Sequence, residues 1–307
     1  MEPTDAHEEA LANRIMKYVT SKNPTSSSDL PSFPGDDVES LPSDYEYDPN
    51  DEDVEEYEEV EEISEMELLS HLDASMPPLL LAQDLFNEDV DSSAFTVLKA
   101  DNANELFGQG YTVLENVLDL DVICAVREWA TEMFKTGQMD KASGKHNEEE
   151  DPFREGNARG DYTLWVSPGN KALEQSAALS QCVDWFSKKL HEDLAKVVNL
   201  HGQAEYQLAY YPPDASHYER HRDSFPTSDK NDRDQRRVTA IVYFNPEWKQ
   251  GDGGELRIFD KGLGDEAEKQ IDIAPKAARC VVFLSGVMDH AVMPAFNERI
   301  ALTSWYR

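Results

Sequence analysis

At Gly202 the hydrophobic period of this chain changes from about 3.6 residues to about 2, which restricts the available folds more than any other feature. Before that point, "VICAVREWATEMF" (122–134) places apolar residues at i, i+3 and i+4. Asp119 or Asp121 can cap this helix and Gly137 stops it. A second amphipathic helix is expected from about Leu173 to Leu200, with Leu179, Val183, Phe186, Leu190, Leu194 and Val198 on one stripe. After Gly202 come "EYQLAYY", "SHYERH", "RVTAIVYFN", "GELRIF", "KQIDIA", "ARCVVFL", "DHAVM" and "RIALTSWYR", eight short β-rich segments separated by Pro, Gly, Asn or Asp. "GYTVLENVL" (110–118) alternates like a further strand. Helices that precede strands, instead of alternating with them, argue against a parallel α/β sheet. Eight strands in about a hundred residues fit a sandwich or barrel, and a double-sheet jelly roll has eight. The expected class is mainly β with supporting helices: helical support over 93–200 and a β core over 203–307.

Charge divides the 307 residues again. Positions 1–92 hold 27 of the 62 acidic side chains and three basic ones (Arg14, Lys17, Lys22), and the rest carries 35 acids against 25 bases. Residues 22–62 mix Pro, Ser and acids with few aliphatics and cannot bury enough apolar surface to offset ordering entropy. An acidic, largely disordered N-terminal arm is therefore expected over 1–92, with nascent helices in "EEALANRIMKYV" and "ISEMELLSHL". The charge balance repels phosphate backbones and argues against nucleic-acid binding, whereas the arm suits a basic protein partner. Cys124, Cys182 and Cys280 are widely spaced, outside any CxxC pattern, and fit a reducing compartment. No run approaches the ~20 apolar residues of a membrane helix, and the N-terminus lacks the apolar core of a signal peptide. A protein of the cytosol or nucleus, away from membranes, is expected.

Histidine is scarce, with eight in the chain, yet "HYERHRDSF" (217–225) holds two. In an extended segment alternate residues share a face, so His221 and Asp223 point the same way and can meet one metal ion. His290, in "LSGVMDHAVMPAF", is the best candidate for a third ligand. Two imidazoles and one carboxylate make the facial triad of non-haem Fe(II) oxygenases, which leaves open positions for cosubstrate and O₂. "HAVMPAFNERIALTSWYR" reads as strand, turn, strand and returns Arg299 alongside His290. A fixed guanidinium beside a metal site can grip the far carboxylate of a dicarboxylic cosubstrate. His217 has HxxxH spacing to His221, but Tyr210-Tyr211-Pro212-Pro213 argues against a helix there and leaves it a surface or loop residue. "GDGGELRIF" lacks GxGxxG spacing and reads as a tight turn.

From about residue 100 to 307 the chain resembles the 2-oxoglutarate and Fe(II)-dependent dioxygenases of the prolyl 4-hydroxylase branch. Within that branch it is most like the hypoxia-factor (Egl-nine type) prolyl hydroxylases and their bacterial relatives. The likeness rests on "GYTVLENVL", "RGDYTLW", "YYPPDASHYERHRD", "VTAIVYFNPEW", "GGELRIF", "PKAARCVVFLS", "HAVMPA" and "RIALTSWY", in that order. It implies a double-stranded β-helix (jelly-roll, cupin-like) core in which His221, Asp223 and His290 are the catalytic iron ligands. It further implies that Arg299 and Tyr243 hold the distal carboxylate of 2-oxoglutarate and that Tyr211 lies near its metal-chelating end. Leu256, Val292, Thr303 and Trp305 would line the pocket, and Tyr218 would sit at the substrate entrance. Loop 138–158, longer and more acidic here, matches a mobile loop that covers the peptide. Asp161, after Arg159 and Gly160, is expected to pair with Arg236 or Arg237 near the substrate groove.

The implied cofactor is Fe(II), with 2-oxoglutarate and O₂ as cosubstrates and ascorbate as reductant. The implied reaction is oxidative decarboxylation to succinate and CO₂, coupled to hydroxylation of proline in a protein substrate. Two other readings stay open. A relative acting on another residue or a small molecule would carry the same iron site, which does not read the substrate. A catalytically silent jelly-roll binding module is opposed by the presence of all three ligands and the arginine. "HLDASMPPLLLAQDLFNED" (71–89) loosely resembles hypoxia-factor target segments without their Leu-Ala-Pro order, and is read as a tether that happens to be Leu-rich.

Overall fold

A computed structural model describes residues 78–142, 158–167, 169, 171–260 and 268–307. The nascent helices expected in the arm, and most of loop 138–158, lie outside these residues. All eight strands expected after Gly202 are present: β4 (Glu205–Tyr211), β5 (Ser216–His221), β6 (Val238–Tyr243), β7 (Leu256–Asp260), β8 (Lys269–Ile273), β9 (Cys280–Leu284), β10 (Asp289–Ala295) and β11 (Arg299–Tyr306). β1 (Tyr111–Leu114), β2 (Asp140–Lys141) and β3 (Tyr162–Val166) precede them. A seven-stranded sheet runs β1-β9-β6-β11-β4-β3-β2, and a four-stranded sheet runs β5-β10-β7-β8. Every described pairing is antiparallel.

The period of 2 decides which residues reach which core. On β6, Val238, Ala240 and Val242 join the cluster under the helices, whereas Ile241 and Tyr243 face the smaller sheet with Leu256, Ile258 and Phe283. β11 divides the same way, sending Ile300 and Leu302 toward the helices and Ala301 toward the other sheet. A large sheet packed on both faces explains why β6 and β9 are buried at every position.

Helix α1 (Ala100–Gln109) leads into β1, and α2 (Leu120–Lys135) buries Ile123, Val126, Ala130 and Met133 at helical spacing. Asp119 is the α2 N-cap by position but makes no side-chain capping bond. Gly137, at φ +69°, ends the turn after α2. The single helix expected over 173–200 is instead broken. Lys171–Gln175 is one helical turn, and Ser176 then caps α3 (Ala177–Asp184) by accepting from Leu179 N at 3.2 Å. A π-helical segment, Trp185–Leu190, follows before α4 (His191–Val197). The extra residue per turn lets Trp185, Phe186 and Leu190 all be buried.

The boundary expected at residue 93 falls inside the packed body. Leu79, Ala82, Leu85, Phe86 and Val90 are buried in the main core. Asn87 donates its N–H to Val197 O at 2.9 Å and its Nδ2 to Ala195 O at 3.0 Å. The Leu-rich stretch is therefore a strap across α4, not a tether, because its apolar side chains find a surface that local composition does not reveal.

Asp193 on α4 anchors the next segment. Its Oδ2 accepts from the N–H groups of Thr96, Val97 and Leu98 at 2.7–3.0 Å, and Lys196 Nζ lies 3.0 Å from Oδ1. Burial works to raise the Asp193 pKa, but these donors outweigh it and hold the carboxyl below its usual value of 3.8. Asp193→Ala leaves three backbone donors without their acceptor, and should lower unfolding stability at pH 7 by about 3 kcal/mol. Because the folded value is depressed, that difference is complete above pH 3.8 and shrinks as pH falls below it. Urea unfolding of both proteins across pH checks magnitude and sign together.

Candidate functional site

Between the sheets a cavity of about 170 Å³ opens at one end. His221, at the end of β5, lies directly opposite His290 on β10, and Asp223 follows two residues later. Their ligand atoms all lie within 4.8 Å of one another. Asp223 Oδ1 stands 3.5 Å from His221 Nε2 and 3.8 Å from His290 Nε2. Both imidazoles are held from behind, since His221 Nδ1 meets Glu219 O at 2.8 Å and His290 Nδ1 meets Met288 O at 3.1 Å. A carbonyl can only accept, so each Nδ1 carries the proton and each Nε2 presents its lone pair to the centre.

The other carboxylate oxygen is held as firmly. Asp223 Oδ2 accepts from Thr239 Oγ1 at 2.8 Å and Trp305 Nε1 at 2.9 Å, which leaves Oδ1 turned inward. Burial acts to raise the Asp223 pKa, but His290, His221 and Trp305 outweigh it and hold it well below the usual carboxylate range. Burial, assisted by His221, pulls His290 down to about 4, so it is neutral at pH 7. One anionic oxygen and two imidazole Nε2 atoms facing one point suit a divalent cation. Among the described residues this is the one such group of His, Cys, Asp or Glu side chains.

Arg299, 3% exposed, enters the same cavity from β11. Its Nε donates to Gly254 O at 2.8 Å, and its guanidinium carbon lies 4.6 Å from the Tyr211 ring and 5.2 Å from the Tyr243 ring. No carboxylate among the described residues pairs with it. The buried Tyr243 hydroxyl likewise has no hydrogen-bond partner there. Burial pushes that phenol up to about 12, so it stays a donor at neutral pH. Two buried donors beside a cavity, lacking an anion, fit one carboxylate of a small dianion. Gly254, at φ +71°, permits the approach: a Cβ there would stand 2.8 Å from Arg299 Cδ.

The remaining expectations sort by position. Tyr211, Tyr218, Leu256, Val292, Thr303, Trp305 and Arg236 all line the cavity, whereas Tyr243 is not part of its lining and meets it through Arg299, 5.2 Å from its ring. Tyr218 stacks on His221 with ring centroids 3.7 Å apart. One expectation needs correction. Asp161 does not pair with Arg236 or Arg237, and it is fully buried away from the cavity. Arg159 grips it instead, through Nε–Oδ1 and Nη2–Oδ2 bonds of 2.7 Å each, because residues two apart in extended chain share a face. Arg236 bonds Glu205 and covers the Trp305 ring at 4.1 Å, whereas Arg237 donates to main-chain carbonyls of Asn199, Lys230 and Asp232.

Sequence reasoning missed Arg159, whose guanidinium carbon lies 4.2 Å from the Tyr218 ring, and Trp165, half exposed beside Trp305 at the cavity lip. It also missed Thr239. The alternation along β6 was a usable signal, since it puts Thr239 on the same face as Ile241 and Tyr243.

Residues 206–307 match the 2OG-Fe(II) oxygenase superfamily. The hypoxia-inducible factor prolyl hydroxylase of Caenorhabditis elegans is 26% identical over 206 residues, covering 64% of this chain and 26% of that protein. Egl nine homolog 1 of Homo sapiens is 33% identical over 150 residues, covering 48% of this chain and 33% of that protein. The matches thus span about a third or less of these relatives' own length. Among solved structures, a prolyl-4-hydroxylase of Pseudomonas putida aligns with TM-score 0.51 and 29% identity, over 67% of this chain and 97% of that one. A prolyl hydroxylase from Trichoplax adhaerens, in complex with a hypoxia inducible factor peptide fragment, aligns with TM-score 0.52 and 25% identity, over 67% and 86%.

The hydrogen bond from Thr239 makes a separable prediction. Thr239→Val should weaken Mn(II) binding about 10-fold with the fold intact, because the carboxylate loses one of its two orienting donors. Unchanged affinity in an anaerobic titration would contradict that role.

Proposed function

We propose that this chain, in which residues 206–307 form a 2OG-Fe(II) oxygenase domain, hydroxylates proline in a protein or peptide substrate. The observation that carries the reading is one cavity holding both the converged triad and an arginine without an anion. The prolyl hydroxylases among its relatives and structural neighbours support the choice of proline.

In this reading His221 and His290 hold the metal through Nε2, and Asp223 holds it through Oδ1. Arg299 and the Tyr243 hydroxyl take the distal carboxylate of 2-oxoglutarate, and Tyr211 stands near its other end. When bound, Fe(II) and 2-oxoglutarate supply the oxidising chemistry, in which O₂ converts the cosubstrate to succinate and CO₂ and one oxygen atom enters a substrate C–H bond. The chain itself binds, orients and keeps water out. Leu256 and Val292 are buried apolar walls, and Thr303 lies on the same face of β11 as Arg299. Tyr218, Trp165 and Arg236 form the rim over which a peptide would pass. The neutral His290 and ionised Asp223 keep the site ready for a cation at physiological pH.

In this reading ascorbate is the reductant that keeps iron ferrous, and a basic protein is the partner of the acidic arm. Cys124, Cys182 and Cys280 are unpaired, which fits the cytosol or nucleus. No helix among the described residues is long and apolar enough to cross a membrane.

Cell-extract proteins incubated with the full chain, and in parallel with His290→Ala, test the reaction by mass spectrometry. One-oxygen mass gains on proline that require iron, 2-oxoglutarate and His290 are expected. Gains on another residue, or succinate release without protein modification, would replace proline with another residue or a small molecule. Arg299→Ala should raise the 2-oxoglutarate concentration for half-maximal turnover at least about 30-fold, the effect of removing one partner of a buried charge pair. Gly254→Ala should raise it less, by displacing the same side chain.

A further inference from the structure

The strand that carries His221 and leads into Asp223 has an irregular ladder with its neighbour β10. β5 is the edge strand of the small sheet, met on its outer side only by an isolated bridge from Arg159 to Tyr218, and its pairing with β10 shifts register between His290 and Val292 and again between Val292 and Ala295. Arg222 and Asp223 lie past the last residue of β5. An ion-pair lattice supplements the ladder there. Asp289, immediately before His290, accepts on Oδ1 from Arg222 Nε at 2.8 Å and on Oδ2 from Arg220 Nη2 at 2.7 Å. Arg220 also bonds Glu268 through both Nη atoms at 3.0 and 2.7 Å, and covers the Phe259 ring of β7 at 4.1 Å. One arginine thus reaches across the small sheet, from β5 to the residue before β8.

Arg222 poses an electrostatic difficulty. It sits between the two ligands in sequence, lines the same cavity, and has a side chain only 23% exposed. A dication binding beside it meets a like charge in a partly buried setting. Asp289 meets that charge from the strand that carries the third ligand. Pro78 and Leu79, the first described residues, line the cleft that Arg222 and Asp289 share, and so help to exclude water from the pair.

We infer that Asp289 is a positioning residue for the metal centre: by cancelling the charge of Arg222 across β5 and β10, it allows a divalent cation to sit between His221, Asp223 and His290. This rests on the reading of those three residues as a metal site, and the test separates the two.

Mn(II) is titrated anaerobically into the full chain, followed by electron paramagnetic resonance of the free ion, with unfolding midpoints of the metal-free proteins measured alongside. Asp289→Asn should weaken Mn(II) about 10-fold or more. Arg222→Met combined with Asp289→Asn should return affinity to within about threefold of wild type, because the uncompensated charge has gone. A purely structural role would move the midpoints without this recovery. Affinity of Asp289→Asn within about twofold of wild type, or a double variant as weak as the single one, overturns the inference and leaves the metal site standing. Wild type that does not bind Mn(II), like His290→Ala, overturns both.

Discussion

Asp223 is a carboxylate set between two imidazoles with its side chain only 9% exposed, and its charge has to be met by its neighbours. Thr239 and Trp305 meet it on Oδ2, from the middle of β6 and the end of β11. On Oδ1 it faces the Nε2 atoms of His221 and His290, whose other nitrogens are committed to main-chain carbonyls. In the absence of metal the anion is held by the Thr239 and Trp305 donors, and a cation facing Oδ1 would complete its surroundings. The two sheets must therefore be in register with each other before the site exists.

That requirement explains the architecture around it. The large sheet turns alternate residues of β4, β6 and β11 toward the helices or toward the site. Leu208, Val242 and Leu302 secure it to the helical layer, while Gln207, Ile241 and Thr303 line the cavity. The helices and the strap over 78–90 contribute no side chain to the cavity. They bury one face of the sheet so that the other can carry buried polar groups, which a two-layer sandwich alone would support poorly. The small sheet brings His221 on its edge strand β5 and His290 on β10, Asp223 follows just past β5, and the Arg220–Asp289–Arg222 lattice reinforces the sheet where backbone pairing is irregular.

Much of this was legible along the chain. Each strand after Gly202 declares itself by its β-branched and aromatic residues between turns, and the HxD spacing with a distant histidine followed by Arg299 points to the site. What could not be read depends on partners far apart in sequence. Arg127 reaching Phe244 O, Asp193 capping 96–98, and the strap lying on α4 all join segments about a hundred residues apart. The Asp161 expectation fails for the opposite reason: its partner is not a remote arginine but Arg159, two residues away on the same face. The π-helical segment at 185–190 is invisible to a period search, because it alters the very period being sought.

The central claim is that His221, Asp223, His290 and Arg299 hold iron and 2-oxoglutarate together at one place. Its most direct test is the visible spectrum of the protein with Fe(II) and 2-oxoglutarate in the absence of air. The account predicts a weak charge-transfer band that requires both additions, is lost in His290→Ala, and needs more 2-oxoglutarate in Arg299→Ala. A wild-type mixture that stays colourless at saturating concentrations, or a band of equal strength in His290→Ala, would contradict it.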